Sequence, residues 1–327
     1  MPITKNKKRV QTDDEETSVQ NKKIRKKINT LTPVLNPISP LGLTWDSINY
    51  SCAYDAFYTI IYHAWTERQL YVENYGRNGT KYMHLLINGF EHLIQKNITF
   101  EELRNTVRFA LKQDFPNKYP IGRNNSNLDA IIGDMINDMN CGFSKMFCRI
   151  CQFHIERPYT QISAYTSVGW SNTNYESMFG HCSIQQYLDL KLGFEDKLTK
   201  KLCPNCTILN KESNLLMISH TLLTLPEILI FNINTWIDIN ISLKIIIDTE
   251  LKKYILKGII YLGEEHFTSR IIDDAGFIWY HDGITTKSYC VREINISNLP
   301  NLQWLKTIRL NDENSIKNAV FIIYIQE

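Results

Sequence analysis

Two short cysteine pairs, Cys148-Arg149-Ile150-Cys151 and Cys203-Pro204-Asn205-Cys206, are separated by 51 residues and restrict what this chain can fold into more than any other feature. A Cys-x-x-Cys turn presents two thiolates to one metal ion, and a second such turn completes a tetrahedral four-cysteine set. The spacing predicts a structural zinc site of Cys148, Cys151, Cys203 and Cys206, with no coordination position left for a reacting water. The fold then has to bring two distant turns within a few ångströms of each other. A redox disulfide is the weaker reading, because two pairs at this separation suit one shared metal. His154, His181 and Cys182 could substitute as ligands, and Cys141, Cys182 and Cys290 otherwise read as packing residues.

At 327 residues, 43% of them hydrophobic, the chain can build a substantial core. It has no apolar run long enough to span a bilayer, and its charged first residues do not read as a secretory signal. The expectation is a globular protein of the cytosol or nucleus, where eight cysteines serve as metal ligands, nucleophile and small hydrophobes rather than as a disulfide framework. The net charge of +2 conceals an asymmetry: residues 1–28 carry nine Lys/Arg and four Asp/Glu. Without aromatics, that segment cannot bury enough surface to offset its ordering entropy, so it reads as a disordered basic arm. Its clusters, Lys7-Lys8-Arg9 and Lys22-Lys23-Ile24-Arg25-Lys26-Lys27, lie twelve residues apart, the spacing of a bipartite nuclear import signal. A plain solvated tail is the other reading.

Pro33, Pro37 and Pro40 mark a linker, with folded sequence from Leu41. Apolar residues from Cys52 to Ala64 follow the helical period, placing Cys52 at a helix start. Further helices are expected around Leu85–Ile94, after the capping-box pattern Thr99-Phe100-Glu101-Glu102, and over Asp129–Ile136. From about residue 140 the texture changes to strands: Leu215–Leu225, Glu227–Trp236, Leu243–Ile247, Tyr254–Leu262, Phe277–Tyr280 and Val320–Ile325. Helices first, a cysteine-bearing insert, then a mainly antiparallel sheet predict an α+β domain.

A helix N-terminus lowers a thiol pKa through its unpaired N–H groups, which makes Cys52 a candidate nucleophile. Such a thiolate needs a histidine, and the histidine needs a carboxylate or amide to fix its tautomer. His266 opens an expected strand and Asp282 follows Phe277–Tyr280, so antiparallel pairing could set both at neighbouring strand ends.

The segment from Gly42-Leu43 through Cys52-Ala53-Tyr54-Asp55-Ala56 resembles the cysteine box of the ubiquitin-specific protease family. His266-Phe267-Thr268 with Trp279-Tyr280-His281-Asp282 resembles that family's histidine box. Asn127-Leu128-Asp129-Ala130, Ser183-Ile184-Gln185-Gln186-Tyr187-Leu188, Leu225-Pro226-Glu227-Ile228-Leu229-Ile230 and Ala319-Val320-Phe321-Ile322-Ile323-Tyr324 resemble other family segments, in the right order. The resemblance extends over most of residues 41–327 and implies a papain-like cysteine peptidase with a helical thumb (41–140), a zinc-bearing β fingers insert (141–225) and an antiparallel palm (226–327), preceded by the arm and linker of 1–40. It implies an isopeptidase that removes ubiquitin or a ubiquitin-like modifier, with structural zinc and no cofactor for the chemistry.

The resemblance is incomplete at two places. Glu264-Glu265 stand where the family usually has glycines, and Ser47 stands where it has its oxyanion-stabilising asparagine, leaving Asn49 as the nearby alternative donor. The Trp45-Asp46 pair is similar to ubiquitin-like-protein isopeptidases, some of which prefer SUMO. A SUMO-specific isopeptidase and a catalytically silent modifier-binding module are the alternatives. Nucleic-acid binding ranks last, because residues 148–206 lack a Lys/Arg stripe interleaved with aromatics. No membrane partner is expected.

Overall fold

The computed structural model describes residues 39–136, 142–158, 165–167, 183–192, 197–207, 215–222, 225–233, 240–247, 252–309 and 316–327. The basic arm, the linker up to residue 38, Cys141, His181 and Cys182 lie outside the described residues.

The first half is helical. Helix α1 (Cys52–Glu67) is buried almost all round from Cys52 to Ile61, so it forms the centre of the core rather than an amphipathic surface helix. It is followed by α2 (Gln69–Asn78), α3 (Lys81–Ile94), α4 (Phe100–Asp114) and α5 (Leu128–Ile136). Thr80 caps α3 by accepting from Met83 N–H, and α4 begins with the full Thr99–Glu102 capping box that its sequence predicts. Helix α2 was not expected: its sequence is polar on average, with few apolar residues to mark a buried face.

Two sheets follow. The smaller contains β1 (Gly142–Phe147), β2 (His154–Pro158), β4 (Lys197–Leu202) and β5 (Leu215–Leu222) in the antiparallel order β2-β1-β5-β4. The larger has the order β11-β10-β9-β8-β13-β6-β3. Its strands are β3 (Tyr165–Ser167), β6 (Ile228–Asn232), β8 (Lys252–Gly263), β9 (His266–Ile272), β10 (Phe277–His281), β11 (Val291–Asn295) and β13 (Ile316–Gln326). Strand β7 (Lys244–Ile247) pairs with β8, and β12 (Thr307–Arg309) with β13. Every described pairing in this sheet is antiparallel except β3 with β6.

The large sheet is covered on both faces. Ile228, Ile230, Ile260, Phe321, Ile323 and Ile325 join the core of helices α1–α5. Leu229, Phe231, Ile259, Tyr261, Ile322 and Tyr324 face a second cluster that includes Ile184 and Leu188 of helix α6 (Ile184–Leu192). A strand with two apolar environments has no polar face to alternate with, which is why residues 228–231 of β6 and 319–325 of β13 read as unbroken apolar runs. Helix α1 crosses the sheet at Gly258 of β8, where an added Cβ would lie 2.4 Å from Ile60 Cγ2. Among the described residues, no helix is long and apolar enough to cross a membrane.

Candidate active site and metal centre

Cys52 is the first residue of α1 and is 7% exposed. The chain enters the helix through Tyr50, whose φ of 41° lies in the left-handed region, and Ser51. That turn aims the start of α1, with its unpaired N–H groups, at the end of strand β9.

His266 is the first residue of β9. The β8–β9 connection is only Glu264-Glu265, both left-handed with φ of 53° and 56°, closing a two-residue hairpin in which Gly263 pairs with His266. Strand β10 runs antiparallel to β9 with His281 opposite Ser269, which brings Asp282 back to the end of the sheet where His266 stands. His266 Nε2 lies 2.8 Å from Asp282 Oδ1. Nδ1 is then the ring nitrogen left for Cys52, whose thiol is close enough to the imidazole to favour its charged form. Asp282 also accepts from Ile284 N–H at 3.0 Å and from the Tyr280 hydroxyl at 3.3 Å.

Burial opposes charge on His266, but its bond to Asp282 and the nearby Cys52 thiol prevail and raise its pKa to about 9. Burial likewise opposes charge on Asp282, yet the bonds from His266 and Ile284 hold it well below the usual carboxylate range. The site therefore favours an imidazolium–carboxylate pair beside a thiol at a helix N-terminus. Trp45 packs edge-on to His266 at 6.3 Å between ring centroids and stacks on Tyr50 at 5.9 Å.

The two side chains considered for the oxyanion are placed differently. Asn49 Nδ2 donates to Asp46 Oδ2 at 2.8 Å and Asn49 Oδ1 accepts from Gly122 N–H at 3.1 Å, so the carboxamide braces the loop. Ser47 is exposed. The backbone N–H of Cys52, unpaired at the helix start, is a donor that sequence reasoning overlooked.

Other charged residues at the site were also missed. Lys317 of β13 is 3% exposed; burial pushes its ammonium pKa down, against the charges of Asp282, Cys52 and Glu264. Glu101, Arg104 and Arg108 of α4 all reach the loop that carries Cys52. The readable signal was two arginines inside the apolar stripe Phe100, Leu103, Val107, Leu111, a position where a solvated charge does not belong.

The four paired cysteines converge at the tips of the small sheet. Cys148 and Cys151 form the β1–β2 turn, and Cys203 and Cys206 form the β4–β5 connection. Their sulfurs all lie within 4.8 Å of one another, with Cys148 to Cys206 at 3.7 Å and Cys151 to Cys203 at 3.4 Å. Tetrahedral zinc with its usual Zn–S bonds needs sulfurs about 3.8 Å apart, so the set fits that ion. Ile150 N–H points at Cys148 Sγ at 3.4 Å, a donor that steadies a thiolate. Cys290 is buried, and the six described cysteines are all free.

No protein-family model and no curated protein sequence matches the chain. Solved structures do. A chain of the SAGA DUB module Ubp8/Sgf11/Sus1/Sgf73 bound to monoubiquitin superposes with a TM-score of 0.50 at 12% identity, over 94% of this chain and 74% of that one. The same Ubp8-containing module bound to ubiquitin aldehyde gives 0.47 at 12% identity, over 88% and 69%. The fold, mixed helices and antiparallel sheet with a four-cysteine cluster, is thus similar to that of a deubiquitinating-module chain.

Proposed function

We propose that this chain is a thiol-dependent isopeptidase that removes ubiquitin or a ubiquitin-like modifier from proteins. The observation that carries the reading is Cys52 at a helix N-terminus against His266, itself held by Asp282 at 2.8 Å. The likeness to a chain from a monoubiquitin complex supports the choice of substrate class. The Cys52 thiolate would attack the carbonyl carbon of the modifier's terminal glycine, and the Cys52 N–H would donate to the oxyanion. His266 would give its proton to the leaving lysine amine, releasing it and leaving a thioester. It would then take a proton from the water that hydrolyses that thioester, while Asp282 keeps the ring oriented throughout. Cys148, Cys151, Cys203 and Cys206 would hold a zinc ion whose role is to join two turns, with no part in the reaction. The basic arm is proposed as a nuclear import signal, which deletion of residues 1–28 from a fluorescent fusion would test by loss of nuclear accumulation.

One observation favours a second reading, a modifier-binding module without turnover: Asn49 is tied to Asp46 and Gly122, and Ser47 is exposed. Ubiquitin and SUMO probes with C-terminal electrophiles separate the readings. Covalent labelling by one probe, abolished in Cys52→Ala, supports the isopeptidase and names the modifier. Non-covalent capture of a modifier by zinc-loaded protein, without labelling by either probe, would replace it with the binding module.

A further inference from the structure

The loop that delivers Cys52 is held from one side by a single helix face. Glu101, Arg104 and Arg108 stand at helical spacing on α4, and each bonds the loop at a different point. Glu101 Oε1 accepts from Thr44 N–H at 2.9 Å. Arg104 Nη1 donates to Thr44 O at 2.8 Å, to Ser51 Oγ at 3.2 Å and to Asp55 Oδ1 at 2.8 Å. Arg108 donates to Asn49 O. Ser51 closes the arrangement, giving its proton to Asp55 Oδ2 at 2.6 Å and accepting from Asp46 N–H at 2.8 Å.

Arg104 and Asp55 are each 2% exposed, and Ser51 is fully buried. A buried ion pair is weak as a source of stability and better explained where it fixes one arrangement among several. Here it joins both sides of Cys52: Ser51 immediately before it and Asp55 one turn into the helix. The α1 N-cap otherwise lacks a side-chain bond, because the Ser51 hydroxyl is turned to Arg104, Asp55 and Asp46 instead.

We propose that Arg104 is a positioning residue for the Cys52 thiol, setting its approach to His266 and the direction of its backbone N–H through Ser51, Asp55 and Thr44. The inference rests on Cys52 being a reactive thiol, and it adds a residue far in sequence from both boxes. Arg104 touches no reacting atom. Its effect is read as the reactivity and pH response of Cys52.

The test is alkylation of Cys52 by iodoacetamide in zinc-loaded full-length protein, followed on the Cys52 peptide by mass spectrometry between pH 5 and 10. Thermal unfolding of the same samples is measured alongside. The double variant Arg104→Met/Asp55→Leu removes both partners together; burial pushes the Asp55 carboxyl up to about 7 against the Arg104 charge, so rates are compared above that pH, where the net charge near Cys52 is unchanged. His266, Asp282, Glu264, Lys317, Asp46, Glu101 and Arg108, the other charged groups around the thiol and its loop, remain in place. A folded double variant should alkylate about tenfold more slowly in that range, with its profile moved toward higher pH (one unit of thiol pKa being a tenfold change in the ionisation constant). Arg104→Lys, which keeps the charge and loses the three-way bridge, should fall between the two. Wild-type rate and profile in either folded variant would overturn the proposal. Failure of both variants to fold would also overturn it, in favour of a purely structural role. An ordinary-thiol profile in the wild type would remove the active-site reading itself and this inference with it, whereas a reactive wild type with unresponsive variants removes only the inference.

Discussion

Proton inventory at His266 gives the site its sharpest residue-scale consequences. With its pKa raised to about 9 by Asp282 and Cys52 against the effect of burial, the imidazolium is the resting form at neutral pH. Labelling by a modifier probe is expected to decline as pH passes about 9, when that proton leaves. Stability follows from the same shift. A histidine that binds its proton more tightly when folded contributes fully below the ordinary pKa of about 6.5 and loses that contribution on the way to 9. Asp282 is shifted the other way, so its contribution is complete above about pH 4 and fades on acidification. Asp282→Asn should therefore lower Tm more at pH 6 than at pH 9.5 and slow probe labelling by about a hundredfold. Equal Tm losses at both pH values would show that the pair is not the titrating unit. Cys52, His266 and Asp282 could be picked out in the sequence because each sits at a recognisable place, a helix start or a strand end. Lys317 could not, because a buried charge has the same letter as a solvated one, and Arg104, though its place in the apolar stripe of α4 signals burial, could not be paired with Asp55, 49 residues away.

Among the elements, the β8–β9 hairpin carries strain that can be relieved. Glu264 and Glu265 both hold the left-handed backbone of a type I′ turn, which suits Asn-Gly and costs other L-residues about 1 kcal/mol each. Glu264→Asn/Glu265→Gly should raise unfolding stability by about 1–2 kcal/mol in urea titration. A loss instead would mean that the carboxylates support the turn more than its backbone opposes it. The opposite outcome is expected at Gly258, where Gly258→Ala places a methyl against Ile60 and should destabilise by about 1–3 kcal/mol. Helices α1, α3, α4 and α5 were legible from periodicity and from the Thr99 capping box, and β5, β6, β7, β8, β10 and β13 from apolar runs. Helices α2 and α6 and strands β1, β2 and β4 were not. Their sequences are polar or mixed, and among the described residues the apolar cluster of the small sheet is Cys148, Cys203, Cys206 and Leu216 with Cys151 and Phe153 against it. Local pattern does not announce strands of that kind, and the cysteine spacing is their one sequence signal.

For the molecule as a whole, the thiolate cluster and the two large cores make separable contributions. Zinc analysis should find one ion per chain, released as the four thiols are titrated with a mercurial. Hydrogen exchange after removal should show β1, β2, β4 and β5 losing protection while α1, β8 and β9 keep theirs, because the latter are held by apolar packing and ion pairs that do not involve the cysteine cluster. Uniform loss of protection would mean that the metal holds the entire fold. Strand β13 has a different importance. Its residues 316–326 lie late in the chain but run between β8 and β6, in the interior of the large sheet. A ribosome part-way through the message therefore carries a chain with two bare strand edges and no way to close them. Neither neighbour of β13 can complete its pairing before residues 316–326 emerge, so the interior of the sheet closes only when that strand is inserted between them.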